Sequence, residues 1–350
     1  MIPITLPDFA YILGAPTITA DVRTYPEDFQ VVETLSFEPT GTGEHVFLQI
    51  RKRDTNTDWL ARQLAQFANV KPHEVSYAGL KDRHAVTTQW FSIQLAGKIA
   101  PDWQTLNSDT IQVVQQTRHS RKLRRGALRD NQFILCLRNV TGNHATLEQR
   151  LTYLAQHGVP NYFGEQRFGH NHNNLQAAEQ ILVAQAIIKD RHQRSLYLSA
   201  ARSFLFNRIL SERVTQGSWN QAINGDVMQL AGSHSVFPIT NIDDEIQRRL
   251  TCFDIHPAAP LWGKGENLAS LDALALMQTI LSAHQGWCEG LIREGLELEW
   301  RSLRLIVENL QWTWLSETSL QLAFHLPAGA YATTVLRELV KTTEFTRHVM

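Results

Sequence analysis

The sequence predicts an α+β protein of two domains, a strand-rich one made from both ends of the chain and a helical one inserted between them. Three observations lead there. A length of 350 residues exceeds one typical domain. Apolar residues alternate with period two up to Arg138 and again from Leu303 onward. Between those stretches the apolar spacing is mostly helical.

Taken in order, Phe29, Val31 and Glu33 alternate with Gln30, Val32 and Thr34, and Val46, Leu48 and Ile50 with Phe47, Gln49 and Arg51. Both patterns predict strands. Asn56-Thr57-Asp58 offers an N-cap, and Leu60, Leu64 and Phe67 recur at helical spacing up to about Ala68. Strand-like runs follow at 90–95, 111–115 and 132–138, the last with Phe133, Leu135 and Leu137 on one face. From about Leu175 helical patterns take over, most clearly at 198–210. A Gly/Pro-punctuated loop is expected over 257–267, then a further helix over 268–284. Alternation returns at Leu303, Leu305 and Val307 and at Leu320, Leu322 and Phe324, and a final helix is expected over 333–341. There is no internal repeat and no floppy linker.

With 43% hydrophobic and 19% charged residues, the composition excludes disordered, collagenous and low-complexity classes. Cys136, Cys252 and Cys288 are odd in number and widely spaced, which leaves neither a disulfide framework nor a cysteine zinc site. Cys136 reads as core. Of the 14 histidines only His170 and His172 lie close, without a His-Glu-x-x-His pattern, so no metal is expected. Lys264 sits between Gly263 and Gly265 without P-loop spacing, as in an ordinary surface turn. No basic residue precedes Arg23, and no run approaches the roughly 18 apolar residues of a membrane helix, so a cytoplasmic protein without a membrane is expected.

The formal net charge is -1, which by itself speaks against a nucleic-acid partner. Its distribution says otherwise. Arg118, Arg121, Lys122, Arg124, Arg125 and Arg129 put six positive charges and no acid into residues 118–129, so the rest of the chain carries -7. Six phosphate contacts would give a log-affinity slope against log salt of about -5 on duplex nucleic acid. Leu123, Gly126 and Leu128 interrupt the run as in an ordered loop, which feeds a strand bearing Asn131 and Phe133. A basic approach ending in an amide and a ring suits an unstacked base. Arg51-Lys52-Arg53 adds a smaller cluster.

Residues 78–91, Ala-Gly-Leu-Lys-Asp-Arg-His-Ala-Val-Thr-Thr-Gln-Trp-Phe, carry the most information. A glycine-led loop sets one acid, Asp82, between Lys81 and Arg83 just before a strand. No second acid lies nearby, so the segment supplies no carboxylate pair for glycosidase-type acid/base work. Flanking cations favour the ionised carboxylate. Such a group is either a structural ion-pair partner or a nucleophile or electrostatic stabiliser.

This segment resembles the catalytic motif of the TruD family of tRNA pseudouridine synthases, Gly-x-Lys-Asp followed by Ala-Val-Thr-x-Gln-Trp. Residues 26–33, Pro-Glu-Asp-Phe-Gln-Val-Val-Glu, are similar to the family's N-terminal motif. Residues 122–128 with Asn131 and Phe133 are similar to its basic loop and strand. Residues 161–169, Asn-Tyr-Phe-Gly-Glu-Gln-Arg-Phe-Gly, and 326–333, Leu-Pro-Ala-Gly-Ala-Tyr-Ala-Thr, are similar to two more blocks, all in family order. The resemblance implies an α+β fold: a mixed, largely antiparallel-sheet pseudouridine synthase catalytic domain over 1–158 and 306–350, with a mainly helical inserted α/β domain over 159–305. It implies isomerisation of uridine at position thirteen of the tRNA D-arm.

Under that resemblance Asp82 is the catalytic aspartate, either attacking the ribose or assisting loss of the base by proton abstraction. Neither route calls for metal or cofactor. Arg23 is the candidate cation beside it, where the family usually has lysine; arginine keeps the charge but brings a planar, bidentate head. A base turned out of its stack needs a ring to lie on and groups for its edge. Phe133 is the candidate ring, Asn131 the amide partner, and Phe29 and Tyr331 match further pocket positions, the last usually phenylalanine in the family. Arg167 is a partner for phosphate or for Glu165, and the inserted domain is expected to grip the tRNA body. The expected partner is tRNA and the expected state a monomer. Two rival readings remain open, a non-catalytic RNA-binding module and a nucleosidase releasing free base.

Overall fold

The computed structural model describes residues 6–344. In chain order its elements are β1 (Thr19–Val22), β2 (Phe29–Leu35), β3 (His45–Arg53), α1 (Thr57–Phe67), β4 (Val75–Tyr77), β5 (Val86–Gln94), β6 (Ile111–His119) and β7 (Leu128–Thr141). There follow α2 (His144–His157), β8 (Val159–Pro160), α3 (Asn173–Leu182), α4 (Arg191–Thr215), β9 (Val227–Leu230), β10 (Val236–Pro238), α5 (Asp244–Thr251) and β11 (Ile255–Leu261). The chain ends with α6 (Leu271–Ser282), α7 (Gln285–Arg293), β12 (Glu299–Ser302), β13 (Arg304–Leu305), β14 (Glu308–Ser316), β15 (Ser319–Pro327), α8 (Ala332–Leu339) and β16 (Lys341–Glu344).

Two compact units result, one of Thr17–Glu148, Val307–Ala332 and Leu339–Met350, the other of Met1–Pro16, Gln149–Ile306 and Thr333–Glu338. They divide the chain differently from the expected 1–158 and 306–350 against 159–305. Hydrogen bonding explains the difference. The Arg150 guanidinium donates to the carbonyls of Leu13, Gly14 and Glu338, and Ile12 N–H to the Glu338 carboxylate. Residues 12–14 and part of α8 are thereby tied to one another and to α2.

The first unit is built on a ten-stranded sheet whose main path runs β14-β15-β7-β2-β5-β3-β6. Most pairings are antiparallel, and the two parallel ones are β2 with β5 and β1 with β16. The mixed α+β expectation is met. β7 is 14 residues long and pairs with β2 on one side and β15 on the other, which makes it the spine. Asn56 caps α1 by accepting from Trp59 N–H at 3.1 Å, as its sequence position predicts. Leu60, Ala61, Leu64 and Ala65 then pack α1 onto Val46, Leu48, Ile50, Phe91 and Ile93.

The basic segment departs from an all-loop reading. Arg118 lies on β6 and Arg129 on β7, so the loop proper is only the stretch between the strands.

The second unit has the 25-residue α4 at its core and a four-stranded sheet ordered β10-β9-β11-β12. Arg213 on α4 is buried against Asp226 at 2.7 Å and donates also to the carbonyls of Ser218 and Gln221. The loop expected over 257–267 is strand through Leu261. Proline's φ suits extended backbone, and Pro257 still accepts Leu303 N–H while pairing opposite Met228. The helix α2 was missed, although Leu147, Leu151 and Leu154 are buried at helical spacing. In the block at 161–169, Arg167 reaches the Ser199 hydroxyl and lies over the Phe163 ring. No described helix is long and apolar enough to cross a membrane.

Candidate active site

The Asp82 loop joins β4 to β5 and lies in the first unit. Four side chains hold it from strands and helix below. Gln89 on β5 donates to the Gly79 carbonyl at 3.3 Å, and Thr57, opening α1, accepts Lys81 N–H at 3.2 Å while donating to Gln89 at 3.0 Å. Glu33 on β2 pairs with Lys81 at 2.5 Å, and its other oxygen accepts Trp90 N–H at 2.9 Å. Lys52 on β3 donates to the Thr55 carbonyl at 2.7 Å and reaches the Asp82 carbonyl at 3.4 Å. The glutamine and tryptophan of the motif thus have separate tasks: one pins the loop's start, the other supplies a backbone donor to its buried acid.

Asp82 itself faces outward. Its carboxylate meets Arg23 Nη2 at 2.6 Å, and its side chain remains 49% exposed. Arg23 follows β1 with φ of 59°, a left-handed conformation that costs a non-glycine residue energy and recurs at functional sites. Its guanidinium lies 4.2 Å over the Phe29 ring. Phe29 meets Phe133 edge-on at 6.2 Å, and Phe133 stacks on Phe324 at 5.5 Å. The start of β2, and so Phe29, is fixed by Asp28, which takes a two-pronged contact from Arg138 at 2.7–2.9 Å.

Strand register explains why these groups converge. Lys52 and Val31 both sit opposite Thr87, Val31 sits opposite Phe133, and Phe133 opposite Phe324. Residues directly opposite share a sheet face, and period two adds Glu33 and Asn131 to the same face. Asn131 is buried, and its Oδ1 accepts no hydrogen bond among the described residues. A buried amide oxygen without a donor is costly.

Burial shifts two of the titratable supports beneath the loop. Burial pushes the Glu33 carboxyl up, opposed by the charge of Lys81. Burial pulls the Lys52 ammonium down to about 8, opposed by Asp82 and Glu33.

Asp82, Arg23, Phe29 and Phe133 are therefore linked by successive contacts, and Asn131 shares the sheet face of Phe133. Tyr331 lies half-buried between β15 and α8. Of the basic residues, Arg121, Lys122, Arg124 and Arg125 are exposed on the loop, Arg118 bonds the Gly43 carbonyl, and Arg129 pairs with Asp130 at 2.6 Å. Lys52 corrects an expectation. It is 0% exposed, because it continues the inward positions Val46, Leu48 and Ile50.

Sequence reasoning missed the supports Glu33, Lys52, Thr57 and Gln89. The signal was present for two of them. A charge at the inward position of an alternating strand requires a partner. Among the described residues no group of three or more His, Cys, Asp or Glu side chains is placed to hold a metal ion.

The sequence profile of tRNA pseudouridine synthase D (TruD) matches residues 8–192 and 183–339. The tRNA pseudouridine synthase D of Methylococcus capsulatus is 51% identical over 328 residues, covering 94% of this chain and 93% of that protein. That of Nitrosococcus oceani is 51% identical over 337 residues, covering 96% and 94%. A solved structure assigned as TruD from Methanosarcina mazei has the same fold, with a TM-score of 0.72 over 97% of this chain and 96% of that one at 22% identity. With half of all residues identical along nearly the whole length, the chain belongs to the tRNA pseudouridine synthase D family.

Proposed function

We propose that this protein converts uridine to pseudouridine at position thirteen of the tRNA D-arm, with Asp82 as the acting carboxylate and the uridine turned out of its stack. The observation that carries the reading is the half-exposed Asp82–Arg23 pair, set beside the Phe29–Phe133–Phe324 rings and the undonated amide oxygen of Asn131. Family membership supplies the tRNA substrate; the geometry supports the division of labour.

In the reaction the bond from uracil N1 to C1′ breaks and one from C5 to C1′ forms. C5 loses its proton and N1 gains one, so composition is unchanged. Asp82 attacks C1′ or removes a ribose proton to release the base; either route uses the same carboxylate in the same place. Arg23 holds that carboxylate and, lying on Phe29, fixes its direction. Phe133 and Phe29 give the detached uracil an apolar surface on which to turn. Asn131 Oδ1 is suited to accept the uracil N3–H, and Tyr331 closes the pocket from the β15–α8 turn. Arg118, Arg121, Lys122, Arg124, Arg125 and Arg129 neutralise RNA phosphates on the approach. The unit that carries Asp82 is the catalytic domain, and the region 159–305 is an insertion that grips the tRNA body. The protein acts in the cytoplasm as a monomer, with neither metal nor cofactor.

Asp82→Asn tests the reading. Expected is tRNA binding near the wild-type level, with pseudouridine formation reduced by about 10²–10⁴-fold or more. Full activity in that variant overturns the assignment of Asp82. Absence of pseudouridine from tRNA incubated with the wild-type protein leaves the RNA-binding module, and release of free uracil the nucleosidase.

A further inference from the structure

A groove of about 970 Å³ opens beside the catalytic loop, between α1 and the loop joining β6 to β7. We propose that it is a second RNA subsite, which takes an unpaired nucleotide of the tRNA by stacking its base on Trp59 and holding its phosphates with Arg62, Arg83, Lys122, Arg124 and Arg125. The inference deepens the tRNA reading above and rests on it for the identity of the RNA.

Three observations carry it. Trp59 is 44% exposed and lines the groove, although the buried side of α1 is complete without it. A large ring left in an open basic hollow offers a face to any base. The five cations come from three separate parts of the chain, α1, the catalytic loop and the β6–β7 loop, and converge on one hollow. Among the described residues only one carboxylate, Asp58, lines it, and that group accepts the Tyr77 hydroxyl, whose ring lies 5.3 Å from the Arg125 guanidinium. The lining is thus strongly positive with its one acid already engaged.

Position connects this groove to the chemistry. Arg83 directly follows Asp82, so the catalytic loop has the Arg23 pair at its front and the groove at its flank. A smaller hollow of about 330 Å³ shares Asn56, Trp59 and Arg83 with the groove and extends it, adding a second acid, Asp54, which lies 3.0 Å from His84 Nδ1. RNA bound here would fix the backbone beside the turned-out uridine. A purely double-helical partner would give phosphates to the cations and leave Trp59 without use.

Binding of unmodified tRNA is measured at several salt concentrations, in the Asp82→Asn background so that chemistry does not enter. Trp59→Ala is expected to weaken binding by about 5- to 100-fold, and Trp59→Phe to recover most of it. Arg62→Ala and Arg124→Ala should each lower the magnitude of the slope of log affinity against log salt by about 1. Lys98→Ala, on an exposed turn outside the groove where Nζ bonds the Asn69 carbonyl, should leave slope and affinity unchanged. In the otherwise wild-type enzyme Trp59→Ala should raise KM with kcat retained. Should Trp59→Ala lose its fold, the two arginine variants decide alone.

The proposal is overturned if Trp59→Ala binds within twofold of its parent, if phenylalanine fails to restore binding, or if the arginine variants leave the slope untouched. It is also overturned if oligoglutamate displaces tRNA as well as single-stranded RNA does. A wild-type protein that forms no pseudouridine sinks the reaction reading while these binding results still stand. Normal pseudouridine formation with unaffected binding in Trp59→Ala sinks the groove alone.

Discussion

Lys81 and Asp82 are neighbours in sequence and make ion pairs of nearly equal length, yet the two pairs live in different environments. Lys81–Glu33 is closed off, with a Glu33 side chain at 0% exposure, whereas Asp82–Arg23 stands half in solvent. A short ion-pair distance therefore says little about its role. The buried pair has given up its water and cannot be broken cheaply; the open pair can exchange its partner for a substrate. On the proposed function, one residue of backbone separates an anchor from a working group.

Lys81→Met should produce the largest change in stability. It leaves Glu33 buried with one backbone donor, which costs roughly 3–5 kcal/mol. Burial already raises the Glu33 carboxyl, so the folded variant takes up a proton more readily than the unfolded chain. More protons bound in the folded state means that stability falls as pH rises, so the defect should be deepest at neutral pH and shrink on acidification. Denaturant unfolding at pH 7 and pH 5.5 checks this; a loss below about 1 kcal/mol at pH 7 would contradict the anchor.

Lys52 sharpens the comparison from below the loop. Its ammonium is lowered from 10.5 to about 8. Between those values the unfolded chain holds more protons, so the site's contribution to stability rises with pH, and the full cost of the buried charge is present below pH 8. At about 1.4 kcal/mol per pH unit the rise totals about 3.5 kcal/mol. Lys52→Met should abolish it, so the variant loses ground to wild type between pH 7.5 and 10.5. A difference in unfolding free energy that stays constant over that range would show that Lys52 does not titrate there.

How much of this was legible follows from the range of the interactions. Local periodicity revealed β2, β3, β7 and α1, because alternation and capping act within a few residues. The motif that contains Asp82 was visible as an acid between cations, and Arg23, Phe29 and Phe133 follow it in a chain of contacts. Which side of the sheet the loop lies on was not legible. That depends on register between strands far apart in the chain, such as Val31 opposite Phe133. Lys52 was misread because three adjacent charges look like a surface patch unless the inward parity of β3 is followed through its last turn of alternation. The Trp59 groove was invisible for the same reason as the sheet register: its walls are some sixty residues apart.

Arg23 gives the smallest expected effect on stability and the clearest separation of the two pairs. As a partly exposed residue paired with a half-exposed acid, Arg23→Ala should cost under about 1 kcal/mol in unfolding. Turnover should suffer more, because a charge-assisted hydrogen bond worth about 1.5–3 kcal/mol no longer directs the Asp82 carboxylate, which corresponds to about a 10- to 150-fold fall in kcat. Arg23→Lys restores the charge but not the planar head that lies on Phe29, so most but not all of that loss should be recovered. Unfolding and single-turnover rates measured on the same three proteins separate the outcomes. If Arg23→Ala lowers stability as far as Lys81→Met does, the open pair is a second anchor. If lysine restores nothing, the cation–ring contact, not the charge, positions Asp82.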